Sequence, residues 1–135
     1  MLTDGIWASS NVYDGSWVIA NEKTSLAVEF DLGSVQDISL VKAVGFHGEA
    51  GIPQSKDITV YVSDDGVTFT QVTNGAFAMT SNIIKETKDY TTPQYKDYLN
   101  YYCGEGVSGR YVRVYVNPQS WAQFVCVTEI EVYGV

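Results

Sequence analysis

Four aromatic side chains in this 135-residue sequence lie in stretches without strand or helix periodicity; they are Trp7, Tyr13, Trp17 and Trp121. An indole or phenol ring offers a flat apolar face on which the C–H patches of a pyranose can stack, while nearby polar groups pair with the sugar hydroxyls. The same rings can instead pack over the end of a protein core. Ligand contact and packing therefore both stay open from the residues alone.

His47 is the single histidine, and it opens a segment punctuated by Gly and Pro that ends at Gln54. Its polar members Glu49 and Gln54 can converge with the imidazole on a ligand, since loops between strands commonly carry binding residues. The alternative is an incidental loop histidine. We take His47 and Gln54 as candidate ligand-binding residues.

Catalysis has little support in the sequence. Activation of Cys103 or a serine by His47 lacks support, because no local nucleophile motif accompanies the histidine. Acidic residues are abundant, yet a chain this short lacks room for a glycosidase cleft in addition to its scaffold. We expect no enzymatic activity.

The two cysteines, Cys103 and Cys126, lack the paired spacing of a zinc site and are too few for a disulfide framework. One bridge or two free thiols are both compatible with the sequence. Cys126 lies in the apolar run 124–127, where a small buried hydrophobic residue is the ordinary explanation. The sequence therefore favours free thiols.

Charge excludes several classes of partner. Sixteen Asp and Glu against eight Lys and Arg give a net charge of -8, a field that repels phosphate backbones and anionic lipids. No apolar run approaches the ~20 residues of a membrane-spanning helix. We expect no nucleic-acid partner and no membrane partner, whereas an uncharged ligand such as a sugar is compatible.

Alternating apolar residues predict strands. The clearest run is Leu26, Val28, Phe30 and Leu32, and a second run, with Lys42 as the exception, is Ile38, Leu40, Val44 and Phe46. Residues 58–62 lead into Asp65-Gly66, a pair that favours a tight hairpin turn, and residues 67–72 return.

Late in the chain, Val112, Val114 and Val116 alternate with polar residues, residues 117–120 break the run, and residues 124–133 resume it. Earlier, the tyrosine-rich stretch between Thr73 and Gly109 predicts one or two strands, with a short helix that carries the tyrosines of 95–102 as the alternative. Strands at regular spacing with turns between them indicate one all-β domain over 1–135, an antiparallel β-sandwich.

Four ordered motifs carry a resemblance that spans nearly the whole chain. They are residues 2–5 (LTDG), 28–35 (VEFDLGSV), 61–69 (YVSDDGVTF), and 109–114 (GRYVRV) followed by 129–134 (EIEVYG). The sequence resembles discoidin-like domains of the coagulation-factor C type, which include the family 32 carbohydrate-binding modules of bacterial glycoside hydrolases. The resemblance implies a jelly-roll-like, galactose-binding-domain-like β-sandwich.

The resemblance also implies a structural calcium ion, held by an Asp, a hydroxyl residue five positions on, carbonyl oxygens and a late Glu. The matching positions are Asp4, Ser9 and Glu129. Calcium prefers six to eight oxygen ligands, which such a set can supply. The alternative makes Asp4 a turn residue and Glu129 a solvent-facing strand residue.

The resemblance also implies a pattern for sugar binding. Members that bind galactose-type sugars often have a His and a Trp shortly after the Asp-Gly motif, a basic residue in the next long loop and an aromatic before the last strand. Tyr13 and Trp17, His47, and Trp121 lie near those positions. The pair Tyr13 and Trp17 matches only approximately, because Asn11-Val12-Tyr13 stands where a Trp-His pattern is usual.

The resemblance thus implies a non-catalytic carbohydrate-binding module that is monomeric. We expect it to be part of a larger bacterial protein, extracellular or on the cell surface, and to tether that protein to a glycan. The alternative is a protein-recognition or cell-adhesion discoidin module without sugar affinity. A third class, phospholipid binding, requires exposed apolar spikes flanked by basic residues, which the net charge of -8 disfavours.

Overall fold

A computed structural model of the chain describes residues 18–20, 25–48, 53–84, 94–122 and 125–134. The regular structure in these ranges is β-strand throughout. No helix within them is long and apolar enough to cross a membrane.

The described strands pair antiparallel in two layers that share one strand. They are β1 (Val18–Ala20), β2 (Leu26–His47), β3 (Asp57–Ser63), β4 (Thr70–Gln71), β5 (Gly75–Ile84), β6 (Gln94–Cys103), β7 (Ser108–Asn117) and β8 (Val125–Gly134). The first layer has the order β1-β8-β2-β6-β5, and the second has the order β2-β7-β3-β4. The predicted all-β, jelly-roll-like antiparallel sandwich is confirmed.

β2 joins the layers because it is 22 residues long and changes partners midway. Its first half pairs with β7, and its second half pairs with β8 and β6. The register shifts between Asp31 and Gln36, where Gly33 has a φ of 84° and its N–H donates to the Asp31 carboxylate at 2.9 Å. The two runs predicted as separate strands are thus one strand with an irregularity at its centre, where glycine tolerates the positive φ.

The core lies between the layers. Its members are fully or nearly buried side chains that alternate along the strands, namely Ile38, Val41, Ala43, Ile58, Val60, Leu99, Val112, Val114, Val116 and Ile130. The alternation predicted over 26–32 is confirmed, since Leu26, Val28, Phe30 and Leu32 are half-buried against this core while Ala27, Glu29 and Asp31 are exposed.

The sequence predicted that the second run of β2, from Ile38 to Phe46, turns its alternating apolar residues to one core face, and this was wrong in part. A second register shift, between Ile38 and Leu40, changes the phase of alternation, so Val41 and Ala43 face the core instead. Val44 and Phe46 alternate with them and are also fully buried, on the other side of the first layer. This half of β2 is therefore covered on both faces.

The predicted hairpin forms between β3 and β4, with Tyr61 opposite Gln71. Its loop is longer than a two-residue Asp-Gly turn because the Asp65 carboxylate accepts hydrogen bonds from Val67 N (2.8 Å) and Thr68 N (2.9 Å). Gly66 has the expected positive φ, 77°. Asp65 therefore organises the turn as a local hydrogen-bond acceptor.

The tyrosine-rich stretch contains two strands, β5 and β6, paired as a hairpin, so the helical alternative is wrong for residues 94–103. Both cysteines are free thiols, as the sequence favoured. Burial raises the pKa of Cys126 to about 12 and also raises the pKa of Cys103. Neither thiol is activated as a nucleophile.

Candidate functional site

The core becomes polar at one end of the first layer. Core-facing positions of β6 run from Tyr101 and Leu99 to Asp97 and Tyr95, because alternate residues of a strand share a face. The pairing places Asp97 between Gly45 of β2 and Ser81 of β5, and places Tyr95 opposite His47. Polar side chains from three neighbouring strands therefore meet where the apolar core stops.

Asp97 is the centre of this group and is fully buried. Its Oδ2 lies 2.7 Å from His47 Nδ1, while its Oδ1 accepts from Ser81 Oγ at 2.6 Å and from Gln54 Nε2 at 3.3 Å. A buried carboxylate is costly unless hydrogen bonds replace its hydration, and three donors do so here. We call His47, Gln54, Ser81, Tyr95 and Asp97 the rim cluster.

His47 is held in a defined orientation. Its ring stacks on that of Tyr95, with centroids 4.6 Å apart and planes inclined by 8°. A carboxylate oxygen only accepts, so Nδ1 carries the proton that it donates to Asp97. Nε2 takes no part in this bond, and the side chain is 22% exposed. When the imidazole is neutral, Nε2 can therefore accept a hydrogen bond from a ligand hydroxyl.

Gln54 connects the two layers. It lies three residues before β3, in the second layer, yet its amide nitrogen donates to Ser81 Oγ at 3.1 Å in the first. Lys56 N donates to Asn117 O at 2.8 Å, which ties the same segment to the end of β7. The start of β3 thereby meets the end of β2 at one end of the sandwich.

Behind the rim cluster lies a tightly packed glycine. A Cβ on Gly45 would come within 3.1 Å of the Cys126 carbonyl oxygen and 3.8 Å of Ser55 Oγ and Leu99 Cδ1. Ser55 is 2% exposed, and its hydroxyl has no hydrogen-bond partner among the described residues. The floor of the site is thus closely packed.

Trp121 lies in the connection between β7 and β8 and is 69% exposed. The connection begins after Asn117, the last residue of β7, which pairs with Asp57 of β3. It ends at the start of β8, two residues before Val127, and Val127 pairs with Gly45 of β2. It therefore links the strand ends that flank Gln54 and His47. An N–H···O bond of 3.0 Å from Ala122 to Gln119 closes a turn beside the indole.

The structure brings together two of the residues predicted as ligand contacts, His47 and Gln54, and places Trp121 on a connection at the same end of the sandwich. Tyr13 and Trp17 lie outside the described residues, as do Asp4 and Ser9. Glu129 is 2% exposed on β8, opposite Val44, so its alternative reading as a solvent-facing residue was wrong. Within the described part of the chain, no group of three or more His, Cys, Asp or Glu side chains is placed to hold a metal ion.

Three members of the rim cluster were not predicted, namely Ser81, Tyr95 and Asp97. One signal was present in the sequence, because Asp97 interrupts the series Tyr95, Leu99, Tyr101 at a position where the alternation demands a core-facing residue. A charged residue in such a series points to a buried polar cluster. Ser81 carries no comparable signal, since only its pairing with Asp97 makes it part of the site.

Comparisons with known proteins agree with this architecture. The family model described as "F5/8 type C domain" matches residues 3–130. No curated protein matches the chain. Among solved structures, the chain is similar to a family 32 carbohydrate-binding module of a family 89 glycoside hydrolase from Clostridium perfringens, with 20% identity, a TM-score of 0.54, and coverage of 92% of this chain and 82% of that one.

Two further structures are similar to the chain. One is the C-terminal domain of a chitobiase from Bacteroides fragilis, with 14% identity, a TM-score of 0.60, and coverage of 99% of this chain and 78% of that one. The other is a family 32 carbohydrate-binding module from a family 31 glycoside hydrolase of Clostridium perfringens, with 19% identity, a TM-score of 0.52, and coverage of 94% and 87%. At these identities the likeness establishes the shared fold.

Proposed function

The chain belongs to the F5/8 type C domain family, and we propose that it is a non-catalytic carbohydrate-binding module that tethers a larger protein to glycans. The observation that carries the proposal is the rim cluster, in which a buried carboxylate orients a part-exposed histidine at the end of the sandwich. The similar solved structures include modules named for carbohydrate binding, which supports the same reading.

The rim cluster suits a saccharide hydroxyl. Asp97 fixes the protonated nitrogen of His47, so that Nε2 presents an acceptor whose direction is set before the ligand arrives. Gln54 uses its amide nitrogen within the cluster, and its carbonyl oxygen is chemically an additional acceptor. Such preorganised polar groups give a shallow site its directional preference without a deep cavity.

The aromatic part of the proposed site is Trp121, joined in the proposal by Tyr13 and Trp17. The exposed indole offers the apolar face that a pyranose needs. At about -0.3 kcal/mol per non-hydrogen atom, a hexose of about twelve such atoms binds with about -3.6 kcal/mol, which is a Kd of about 2 mM. Tethering through weak sites of this kind relies on repeated contacts with a glycan surface.

Charge narrows the ligand class. The rim cluster contributes one buried carboxylate and no lysine or arginine, and the whole chain carries -8. A sulfated or uronic sugar would meet the repulsive field of the chain, and the rim cluster itself offers it no positive charge. The proposed ligand is therefore an uncharged glycan.

Calcium and location complete the proposal. Asp4, Ser9 and Glu129 would hold a structural calcium ion, and the buried carboxylate of Glu129 is a hard oxygen donor of the type that calcium requires. Calcium at that position would fix the first loop against the last strand. The parent protein would be bacterial and extracellular or on the cell surface, where glycans are available as partners.

A glycan array followed by isothermal titration tests the proposal. We expect saturable binding to uncharged glycans, weakened about tenfold or more in Trp121→Ala and in His47→Ala. Val67→Ala is the matched control, because Val67 is 83% exposed in the β3–β4 loop and lies outside the rim cluster. Absence of glycan binding together with capture of a defined protein partner would instead support the protein-recognition alternative.

A further inference from the structure

The outer face of the first layer carries two exposed tyrosines in one row across its strands. Tyr102 of β6 pairs with Leu40 of β2, and Leu40 pairs in turn with Tyr133 of β8. Directly paired residues of antiparallel strands share a face, and the neighbouring Val41 and Tyr101 pack in the core, so this row points outward. Tyr102 is 51% exposed and Tyr133 is 43% exposed. We call Tyr102, Leu40 and Tyr133 the tyrosine row.

Contacts within the sheet support both rings of the tyrosine row. The Tyr133 hydroxyl donates to the carboxylate of Glu131, two residues earlier on the same face, so the phenol ring leans along its own strand. Ser39 Oγ donates at 2.9 Å to the carbonyl oxygen of the last residue of β8, which holds that strand end against β2. On the other side, the residue paired with Tyr102 is Ala76, whose side chain is small. Two aromatic surfaces are therefore presented across the sheet.

The spacing of the tyrosine row matches an extended sugar chain. Tyr102 and Tyr133 are separated by two strand spacings, about 9.6 Å, which is close to the length of two pyranose units. In a β-1,4-linked chain of sugars with equatorial bonds, each unit is turned over relative to the one before, so every second unit presents the same face. Alternate units can therefore stack on the two phenol rings while the unit between them lies over Leu40.

The next row of the same face supplies polar partners. Asn100 of β6 pairs with Lys42 of β2, and Lys42 pairs with Glu131 of β8. Amide, ammonium and carboxylate groups all hydrogen-bond to hydroxyls. The charges of Lys42 and Glu131 are opposite and lie side by side, so this row offers neither a phosphate nor a cationic ligand a surplus of opposite charge. The polar row therefore suits an uncharged ligand that is rich in hydroxyl groups.

We propose that the tyrosine row is a second carbohydrate-binding surface, which takes an internal stretch of an extended, uncharged β-1,4-linked glycan. It is separate from the rim cluster, because Leu40 and His47 are seven residues apart on β2, about 23 Å along the strand. A chain lying on the tyrosine row therefore needs no contact with the rim cluster. Two weak surfaces on one module raise its retention on a glycan through multivalency.

Nuclear magnetic resonance titration of ¹⁵N-labelled protein with cellohexaose, mannohexaose and chitohexaose tests the proposal. We expect at least one of these β-1,4-linked hexasaccharides to shift the amide signals of Tyr102 and Tyr133 in a saturable way. Maltohexaose is the control probe, because its α-linked glucose chain is curved and cannot lie along the row; it should leave both signals in place. Absence of a shift at both tyrosines with all three β-1,4-linked probes at about 10 mM would overturn the proposal.

Substitutions test whether the rings themselves bind the chain. Tyr102→Ala and Tyr133→Ala should each weaken hexasaccharide binding at least fivefold, whereas Tyr102→Phe keeps the ring and should retain it. Tyr115→Ala is the matched control, because Tyr115 lies on β7 in the other layer. Circular dichroism verifies folding, and Tyr102→Leu replaces an alanine variant that does not fold. Binding that is indifferent to loss of both rings would overturn the proposal.

The two carbohydrate surfaces are told apart by their own variants. His47→Ala should leave the hexasaccharide titration at Tyr102 and Tyr133 unchanged, because the rim cluster lies at the other end of this part of β2. Loss of that titration in His47→Ala would show that the chain binds at the rim cluster instead, and would overturn the separate surface. Failure of the rim cluster to bind any glycan leaves the titration at the tyrosine row readable.

Discussion

The carboxylate of Asp97 is fully buried and lies 2.7 Å from Nδ1 of His47, a residue fifty positions earlier in the chain. The contact spans two adjacent strands, because His47 ends β2 and Asp97 lies near the start of β6. It fixes the orientation and the tautomer of the one histidine at the proposed sugar site. In the proposed function, sugar binding and local stability are therefore coupled through this pair.

Replacing Asp97 with asparagine removes an acceptor that three donors use. Asp97→Asn should weaken glycan binding about tenfold, because hydrogen bonds to a charged acceptor contribute about 1.5–3 kcal/mol. Independently of any glycan, the ¹⁵N spectrum of His47 should shift from the Nδ1–H form toward the Nε2–H form. Asp64→Asn is the control, since Asp64 is exposed in the β3–β4 loop. An unchanged tautomer in Asp97→Asn would contradict the assigned role.

Acid should unfold the β3–β4 hairpin through Asp65. The N–H groups of Thr68 and Val67, followed by the Ser63 hydroxyl, hold the pKa of Asp65 below its usual 3.8. Because the folded-state pKa is depressed, this stabilisation is fully present above pH 3.8 and is lost as the pH falls through the depressed pKa. Asp65→Asn should lower the Tm by a few degrees at pH 7, with the difference vanishing at the acid end of a pH series.

The neighbouring Asp64 provides the matched variant for that series. It is exposed and makes none of the three hydrogen bonds that Asp65 accepts, so Asp64→Asn should leave the Tm nearly unchanged at every pH. Equal effects of the two substitutions would show that general charge repulsion, and not the Asp65 turn, governs acid stability.

Ser55 offers a stabilising substitution. Its hydroxyl is buried and has no partner among the described residues, so Ser55→Ala should raise the free energy of unfolding by about 0.5–1 kcal/mol. Ser63→Ala should do the opposite by a similar amount, because Ser63 Oγ donates to Asp65 and accepts from Gly66 N. Chemical denaturation of both variants measures the difference. A destabilised Ser55→Ala would reveal a hidden partner for this hydroxyl.

The calcium proposal predicts metal-dependent stability. Chelation should lower the Tm, and added calcium should restore it. Calcium at a hundred times its Kd should raise the free energy of unfolding by about 2.7 kcal/mol. Glu129→Gln should abolish the response to calcium. Asp37→Asn, an exposed carboxylate on β2, should preserve it. If the Tm changes with neither chelator nor calcium, Asp4, Ser9 and Glu129 do not bind a structural calcium ion.

Much of the fold was readable from alternation and turn residues. The strand at 26–32, the valines of β7 and the glycine at position 66 all behave as their local patterns predict, because side-chain direction in a strand depends on position alone. The phase of the second half of β2 was not readable. It depends on a register shift against β8, which is a relation between segments about ninety residues apart.

The site divides in the same way. The sequence by itself identified His47, Gln54 and Trp121 as polar or aromatic residues at strand ends and in connections. Only the tertiary structure supplied Asp97, Ser81 and Tyr95, because their role comes from cross-strand neighbours and not from any local motif. The sequence shows which residue types are present and their local alternation. Which side chains are buried and which ones hydrogen-bond to each other is decided only when strands distant in the sequence pair.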